Sequence, residues 1–400
     1  MNLTARGWTV LGGGIAWCVV ALGIGQRDLW WPGLFLVLLP LVSWLLLVPG
    51  SGQLSVTRRI TPSRATVGQT VRVDLELDPG GISVGGVARV RDRLPAALGE
   101  PRWFAFAAGL GIWRQTVSYE LRPAWRGRHR IGPLDRSMAD GLGLARSLRT
   151  VAGQSELLVT PRVEPLANLR GASGVGLATD TSLLRTGLGS ADDVLVREYN
   201  QGDDVRRIHW RTTAHAGQLM VRREERAWDP SATIVIDNRA RGYSTRVHDE
   251  RLEWAVSAAA SIAIHLLGDG FDLSLVEADG SVLTPHRVGP GREMVVLERL
   301  VDLAPDRAHT LKDALATCGR GAEGQLLVAI LSRVDSEDAA ALAEASRRGR
   351  ACWALLLASS SQLDASQATT VREAGWRCVV AGPGTPVAAA WREFGREETR

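Results

Sequence analysis

The feature that most restricts the fold of this 400-residue chain is a pair of uncharged apolar runs near its N-terminus. The first covers residues 7–26 and the second covers residues 29–48, with only a short polar turn around Arg27 and Asp28 between them. A helix needs about 20 apolar residues to cross a bilayer, and each run reaches about that length. The two runs therefore predict a transmembrane helical hairpin over residues 1–50.

A cleaved signal peptide is the alternative interpretation of the first run. The second run follows at once, and no clear small-residue cleavage site lies between them. Trp8, Trp30 and Trp31 lie near the predicted ends, where indole rings favour the membrane interface. These observations favour the hairpin.

The arginines flanking the hairpin predict its orientation. Arg6 precedes it and Arg58, Arg59 and Arg64 follow it, whereas Arg27 in the turn is next to an aspartate. Positively charged residues favour the cytoplasmic side. We therefore expect a cell-membrane protein with two spans and cytoplasmic soluble domains.

Residues 51–165 show the pattern of a β-sandwich of the immunoglobulin type. Short runs with alternating or β-branched residues are separated by turn segments rich in Pro and Gly. The predicted strands are residues 53–60, 70–77, 84–91, 113–122 and 127–131. Within residues 135–144, residues 140–144 are predicted as a turn that leads into a further strand near residues 157–160.

Residues 231–400 show alternating strand and helix patterns, which predict a doubly wound α/β domain. Residues 233–237 form an apolar run that ends in an acid, as a central parallel strand does. The other predicted strands are residues 271–277, 282–288, 325–331, 352–358 and 378–380. The predicted helices are residues 247–267, 293–303, 337–347, 362–374 and 387–394.

Residues 166–230 connect these domains and contain the most unusual segment of the chain, residues 196–221. We predict a mobile loop over residues 167–189, a helix over about 205–216 with Asp203 as its N-cap, and a strand over 218–226. Gly217 suits the left-handed end of the helix. The charged side chains form either a surface for a partner or anionic ligand, or a structural ion-pair network. His209 and His215 are six residues apart, which disfavours a shared metal.

The same segment resembles the signature of a bacterial family known as domain of unknown function fifty-eight. The matching residues, in the family's order, are Arg197, Glu198, Tyr199, Gly202, Asp203, Asp204, Arg207, His209, Trp210 and Arg222. The resemblance implies a membrane-tethered protein with a von Willebrand factor A-like C-terminal domain. It also implies a MoxR-type AAA+ ATPase as the protein partner, with these ten residues as the interaction motif.

The expected metal site of a von Willebrand A-like domain is altered in this chain. Such domains carry an Asp-x-Ser-x-Ser motif after their first strand, whereas this chain has Asp237, Asn238, Arg239, Ala240 and Arg241. A hard cation requires oxygen ligands, and a fixed positive charge next to it is unfavourable. We therefore expect a degenerate site at Asp237 and Asp335 without a divalent metal. The simpler role for Asp237 is a pair with Arg239 or with a motif arginine.

The sequence gives little support to catalysis or to nucleic-acid binding. It contains no glycine-rich phosphate loop followed by Lys and Ser or Thr, and no Gly-x-Ser-x-Gly elbow. The net charge is only +4, and acids balance the arginines of the motif. The four cysteines show no disulfide framework.

We therefore predict a non-catalytic, membrane-tethered interaction or scaffold protein without a cofactor. Its role would be in envelope assembly or complex maturation with a MoxR-type ATPase. The alternative is a ligand- or metal-sensing domain that binds an ion or anion at the Asp237 edge of the sheet.

Overall fold

The computed structural model describes most of the chain in two compact units, Met1–Arg162 and Val163–Arg400. The described residues are 2–47, 54–79, 83–111, 114–151, 153–168, 196–198, 210–222, 231–244, 248–285, 291–308, 310–318, 326–347, 351–359 and 361–396. The finer division of the chain at residues 50, 165 and 230 stays a prediction.

The first unit begins with two antiparallel apolar helices, α1 (Ala5–Ile24) and α2 (Trp30–Leu46). Gly25, with φ of 72°, ends α1 in the left-handed conformation. Gly14 lies so close to α2 that an added Cβ would lie 2.9 Å from the Leu36 Cβ. The segments Ala5–Ile24 and Arg27–Leu45 have mean hydropathies of 1.7 and 1.5, so both could span a membrane by length and composition. The two predicted apolar helices are therefore confirmed.

The rest of the first unit consists of β-strands. They are β1 (Asn2–Leu3), β2 (Leu54–Thr61), β3 (Arg64–Thr66), β4 (Val71–Pro79), β5 (Ser83–Asp92), β6 (Phe104–Gly111), β7 (Gln115–Leu121), β8 (Gly127–Ile131), β9 (Leu134–Ala139), β10 (Ala145–Val151) and β11 (Ser155–Thr160). The sheet orders are β1-β10-β9-β5-β6, β2-β4-β7 and β3-β11-β8. All three sheets contribute to one hydrophobic core that contains Leu75, Val90 and Ile131.

Side-chain alternation explains why most of these strands were predictable. Val71, Val73, Leu75 and Leu77 of β4 are buried, while the residues between them face outward. The predicted strands at 53–60, 70–77, 84–91, 113–122, 127–131 and 157–160 are confirmed within two residues at each end.

The turn predicted at residues 140–144 is confirmed, but the strands on either side of it, β9 and β10, were not predicted. Residues 134–139 form β9, which has neighbours on both sides in its sheet, and only residues 140–144 turn. Leu134 through Met138 are all buried, so the strand lacks the alternation that marks a half-exposed strand. Asp135 is held there by hydrogen bonds from Arg91 and Arg93.

The second unit contains alternating strands and helices. They are β12 (Val196–Glu198), α3 (Trp210–Ala216), β13 (Met220–Arg222), β14 (Ser231–Ile236), α4 (Glu250–Gly268), β15 (Asp272–Glu277), β16 (Val282–Leu283), α5 (Arg292–Asp302), α6 (Lys312–Thr317), β17 (Leu326–Leu331), α7 (Ser336–Ser346), β18 (Ala351–Leu357), α8 (Ser361–Glu373), β19 (Arg377–Ala381) and α9 (Val387–Arg396).

The main sheet has the order β16-β15-β14-β17-β18-β19, and every neighbouring pair is parallel except β15 with β16. One core lies on the face covered by α4, α5 and α9, and a second lies under α6, α7 and α8. The doubly wound α/β arrangement is confirmed. Strands β15 and β16 lie on one side of β14, and β17, which follows β16 in the chain, lies on the other side, so the switch point lies between β14 and β17.

The sequence-based expectation and the structure differ at two places in this unit. The short helix α6 was not predicted. The predicted return strand at 282–288 is described as a strand only for Val282–Leu283, and residues 286–290 lie outside the described residues.

Residues on both sides of the predicted boundary at residue 165 pack on this unit. The Glu164 amide donates to the Ser261 hydroxyl at 2.9 Å, and the Trp391 indole donates to the Ala167 carbonyl at 3.0 Å. The loop predicted over residues 167–189 otherwise lies outside the described residues.

Candidate functional site

The family-like motif is only partly described. β12 and β13 pair antiparallel, with Val196 opposite Arg222, and α3 lies between them in the chain. Gly217 has φ of 71°, as expected for the residue that ends the helix. Trp210, at the start of the described part of α3, is 68% exposed.

The left-handed end at Gly217 is therefore confirmed. The predicted helix is described from Trp210 to Ala216, and the predicted strand from Met220 to Arg222. For Arg197, Glu198 and Arg222 only the backbone is described. The remaining motif residues lie outside the described residues: Tyr199, Gly202, Asp203, Asp204, Arg207 and His209. Whether the motif is a surface or an ion-pair network stays an open prediction.

The candidate site that the structure describes in full lies at the carboxyl edge of the main sheet. Asp237 directly follows β14, and Ser332 directly follows the adjacent β17. Both residues lie at the switch point, where doubly wound sheets bind their ligands. We call the group at this point the edge cluster; its members are Asp237, Arg239, Arg241, Ser332, Asp335 and Asp338.

The Asp237 carboxylate is fully buried and accepts hydrogen bonds at both oxygens. The Ser332 amide and hydroxyl donate to Oδ2 at 3.0 and 2.6 Å. Arg239 donates through Nε to Oδ1 at 2.7 Å and through a terminal nitrogen to Oδ2 at 2.9 Å. This bidentate pair is the simpler role that the sequence suggested for Asp237.

The Arg239 side chain has no exposed surface. Its other terminal nitrogen donates to both oxygens of Asp338, at 2.8 and 2.9 Å. The terminal nitrogen that contacts Asp237 also donates to the Arg333 carbonyl at 2.8 Å. Burial alone lowers the pKa of this guanidinium, but the hydrogen bonds and charges of Asp237 and Asp338 outweigh burial and raise the pKa above its usual value. Arg239 therefore stays charged.

Asp335 and Asp338 begin helix α7 as a capping box. The Asp338 amide donates to Asp335 Oδ1 at 2.9 Å, and the Asp335 amide donates to Asp338. Arg241 bridges the two carboxylates, with 2.8 Å to each. Burial alone would raise the pKa of Asp335, but the capping bond and Arg241 lower it overall.

Close packing after β14 brings Arg241 into position. An added Cβ at Gly242 would lie 2.0 Å from the Ser332 Oγ, so only glycine fits there without movement. The Tyr243 hydroxyl donates to the Asp237 carbonyl, and burial, followed by the charge of Asp237, raises the pKa of this phenol. Arg251 of α4 donates to the Gly242 carbonyl at 3.0 Å.

A second buried acid lies at the same edge. Glu277 ends β15 and pairs with Arg299 of α5 at 2.5 Å. Burial raises the pKa of Glu277, and the charges of Asp279 and Asp306 act in the same direction, while Arg299 opposes them. Glu277 therefore holds its proton more tightly than a free glutamate does.

The chemistry of the edge cluster is that of an internal ion-pair network. A guanidinium, tethered to the chain, lies between the two buried carboxylates where a cation would bind. Among the described residues, no group of three or more His, Cys, Asp or Glu side chains has the arrangement of a metal site. The absence of a metal stays a prediction, and the position of Arg239 supports it. Only Arg241 and Asp335 are substantially exposed, at 36% and 41%.

The sequence placed Asp237 and Asp335 at this edge but did not identify Ser332, Asp338 or Tyr243. The spacing of Asp335 and Asp338 ahead of a helical run was a usable signal, because it is the spacing of a capping box. Nothing local in the sequence indicated that Asp338 would face Arg239, which is 99 residues away.

The β unit contains a cleft of about 600 Å³. Asp92, Phe104 and Tyr119 contribute to its lining. The buried Asp92 already accepts hydrogen bonds from Arg58 at 2.5 Å and from the Tyr119 hydroxyl at 2.6 Å. Because these polar groups bond to each other, the cleft is a poorer candidate than the sheet edge.

Comparison with known proteins finds a family model that matches the middle of the chain. Residues 195–362 match the model described as protein of unknown function DUF58. This region of the chain is therefore similar to that family. The resemblance of residues 197–222 is thereby confirmed, and the matched region also contains the whole edge cluster.

Three curated relatives are uncharacterised proteins, one from Mycobacterium bovis and two from strains of Mycobacterium tuberculosis. Each is 31% identical over 142 residues, which is 34% of this chain and 39% of the relative. The chain thus spans well under half the length of the relatives that it matches.

Solved structures give only distant similarity. The von Willebrand A domain of SpRpn10 is 15% identical, covers 41% of this chain and 93% of its own, and has a TM-score of 0.29. The CARDB domain of a Pyrococcus furiosus protein is 12% identical, covers 27% of this chain and 87% of its own, and has a TM-score of 0.20. Scores this low do not establish a shared fold.

Proposed function

We propose that this protein is a non-catalytic, membrane-tethered interaction protein. The observation that carries the proposal is the closed sheet edge. At the point where doubly wound sheets bind ligands, the two buried carboxylates are occupied by Arg239 of the same chain. What faces outward is a charged rim of Arg241 and Asp335, which suits contact with another protein better than chemistry on a small molecule.

The same geometry speaks against a ligand- or metal-sensing role at Asp237. A divalent cation would have to displace a guanidinium that makes hydrogen bonds to two carboxylates and to a carbonyl. A bidentate, fully buried pair is a strong competitor for such a site.

We propose that the β unit is an immunoglobulin-like spacer and that the α/β unit is von Willebrand A-like. Support for the second assignment is the parallel sheet with one antiparallel edge strand, and an aspartate directly after the central strand β14. Support for the first is the set of short strands around one core.

Helices α1 and α2 anchor the protein in the cell membrane, with both soluble units in the cytoplasm. The support is the length and apolarity of the helices, together with Arg6, Arg58, Arg59 and Arg64 on the side of the hairpin that leads into the β unit.

The proposed partner is a MoxR-type AAA+ ATPase, in envelope assembly or complex maturation. The support is the family match of residues 195–362 and the charged character of the motif in that region. Arginine makes bidentate ion pairs across protein interfaces, so Arg207 of the motif is the residue to test.

Affinity capture from detergent-solubilised native membranes tests this proposal. We expect the wild-type chain to retain an AAA+ ATPase, identified by mass spectrometry, and we expect Arg207→Glu to lose it. Arg347→Glu is the matched control, because Arg347 is an exposed arginine at the end of α7, outside the motif. Capture without any AAA+ ATPase above background would contradict the proposal. Equal capture by Arg207→Glu would assign the motif to structure and place the contact elsewhere.

A further inference from the structure

The turn between β9 and β10 is attached to the first turn of helix α1. The Thr4 amide donates to the Leu144 carbonyl at 2.9 Å, and its hydroxyl donates to the Gly143 carbonyl at 2.6 Å. Gly7 lies so close that an added Cβ would be 2.1 Å from the Leu144 oxygen. The turn backbone is therefore fixed beside residues 4–7.

The other end of the helical hairpin reaches the same sheet. Leu47, directly after α2, is buried in a small cluster with Ala88, Met138 and Ala145. Strand β1, directly before α1, pairs with β10. The residues that flank the hairpin on both sides therefore contact the sheet that contains β5, β9 and β10.

The length of α1 determines the depth in the bilayer at which the contact between Gly7 and Leu144 lies. Its 20 residues span about 30 Å, which is about the thickness of the hydrocarbon core. The whole helix is then needed to cross, and a contact at Gly7 lies where the acyl chains meet the headgroups. This step rests on the proposed membrane anchoring.

The side chains at this level suit the interface. Leu142, at the tip of the turn, is 59% exposed although it is apolar. Arg6 at the start of α1 and Arg146 at the start of β10 are exposed, and Trp8 of α1 is also exposed. The acid of the turn, Asp140, is used internally, because its carboxylate accepts from the Leu142 and Ala145 amides at 3.1 and 2.7 Å.

The exposed charged side chains described in the strands of this sheet are also positive. Exposed arginines on the outer face include Arg89 and Arg146. The acids in the described parts of β5, β6, β9 and β10 are Asp92 and Asp135, and both are buried and bonded to arginines. The exposed charge of the described strands is therefore positive, which attracts an anionic surface.

We propose that residues 140–144 form a lipid-binding element at the membrane surface. Leu142 inserts at the boundary between headgroups and acyl chains, while Arg6 and Arg146 bind phosphates of anionic phospholipids. Trp8 lies in the adjacent aromatic belt. The fold thereby fixes the β unit against the bilayer rather than leaving it on a free tether.

Site-specific labelling of the full-length chain in vesicles tests the insertion. A fluorophore is attached to Leu142→Cys or to the control Leu363→Cys, a leucine of α8 with nearly the same exposure of 57%. Both are made in a Cys18→Ala background, since the other three cysteines are buried. We expect lipids brominated near the headgroup to quench position 142 several-fold more than position 363, and aqueous iodide to show the reverse.

Anionic lipid dependence tests the two arginines. We expect quenching at position 142 to increase when phosphatidylglycerol is added to phosphatidylcholine vesicles, and high salt to reduce that increase. The double variant Arg6→Gln/Arg146→Gln is expected to lose the increase. Arg347→Gln/Arg392→Gln, which removes two exposed arginines of the second unit, is expected to keep it.

Alkaline carbonate extraction separates the two possible failures. Release of the wild-type chain from the vesicles would overturn the membrane anchoring, and this proposal with it. Retention together with quenching of position 142 by iodide alone would overturn the lipid contact but leave the anchoring intact. An unchanged response of the Arg6→Gln/Arg146→Gln variant would overturn the phosphate-binding role.

Discussion

Arg239 is the residue that holds the carboxyl edge together. Its guanidinium contacts two buried carboxylates and one carbonyl, and no part of the side chain reaches solvent. The cost of removing these three charged groups from water is offset only while all of them remain paired. Replacing one partner leaves the others buried and uncompensated.

Removal of this guanidinium is expected to destabilise the second unit strongly. Breaking a buried pair by removing one partner costs about 3–5 kcal/mol, so we expect that loss for Arg239→Met. Arg241→Met is the matched control, because this arginine is 36% exposed and bonds to the same helix start. Denaturant unfolding of the full chain in detergent measures the free energy of unfolding of both variants. A loss below about 1 kcal/mol for Arg239→Met, as for a surface pair, would contradict this account.

Glu277 is expected to make stability depend on pH. Burial raises its pKa in the folded chain above the ordinary 4.5. The folded state therefore binds the proton more tightly, and the free energy of unfolding falls as the pH rises from 4.5 through the raised pKa.

Glu277→Gln is expected to lack this decline. Comparison of melting temperatures over that pH window checks the prediction, with Glu344→Gln on the exposed face of α7 as the control. Parallel curves for wild type and Glu277→Gln would show that the buried carboxyl does not titrate there.

At the scale of elements, the α/β unit was more predictable than the β unit for a physical reason. Strands β14 and β17 are buried on both faces, so they read as wholly apolar runs. In the β unit, β6 is rich in Ala and Gly, and β9 carries buried polar groups such as Asp135. Neither shows an alternation of apolar and polar residues in its sequence, so neither was predicted.

The candidate site was predictable only where its partners are neighbours in sequence. Asp237 and Arg239 are two residues apart, and their pairing was one of the two alternatives that the sequence suggested. Ser332 and Asp338 reach the same point because β17 lies next to β14 and α7 starts beside it. Such contacts depend on strand order, which local pattern does not contain.

The start of helix α4 offers a test at this scale. The Asp249 carboxylate accepts from the Arg251 and Leu252 amides at 2.8 and 3.3 Å, which satisfies two amides of the first turn. We expect Asp249→Ala to lower the free energy of unfolding by about 1 kcal/mol, and Asp249→Asn to lower it less, because asparagine also caps helices. Equal losses would contradict a capping role.

At the scale of the whole molecule, the anchor and the β unit form one body. Strand β1 precedes the first helix and pairs with β10, and Leu47 after the second helix is buried against Ala88 and Met138. The helical hairpin and the sheet that contains β10 are thus joined by backbone pairing as well as by side-chain packing.

The sidedness of the chain tests the central claim most directly. In intact bacterial cells, a membrane-impermeant maleimide is applied to Leu363→Cys in α8 and to Gln26→Cys in the hairpin turn, both in a Cys18→Ala background. A docking surface on the cytoplasmic face predicts that Gln26→Cys is labelled at once and that Leu363→Cys is labelled only after permeabilisation. Labelling of Leu363→Cys in intact cells, with Gln26→Cys protected, would contradict the account.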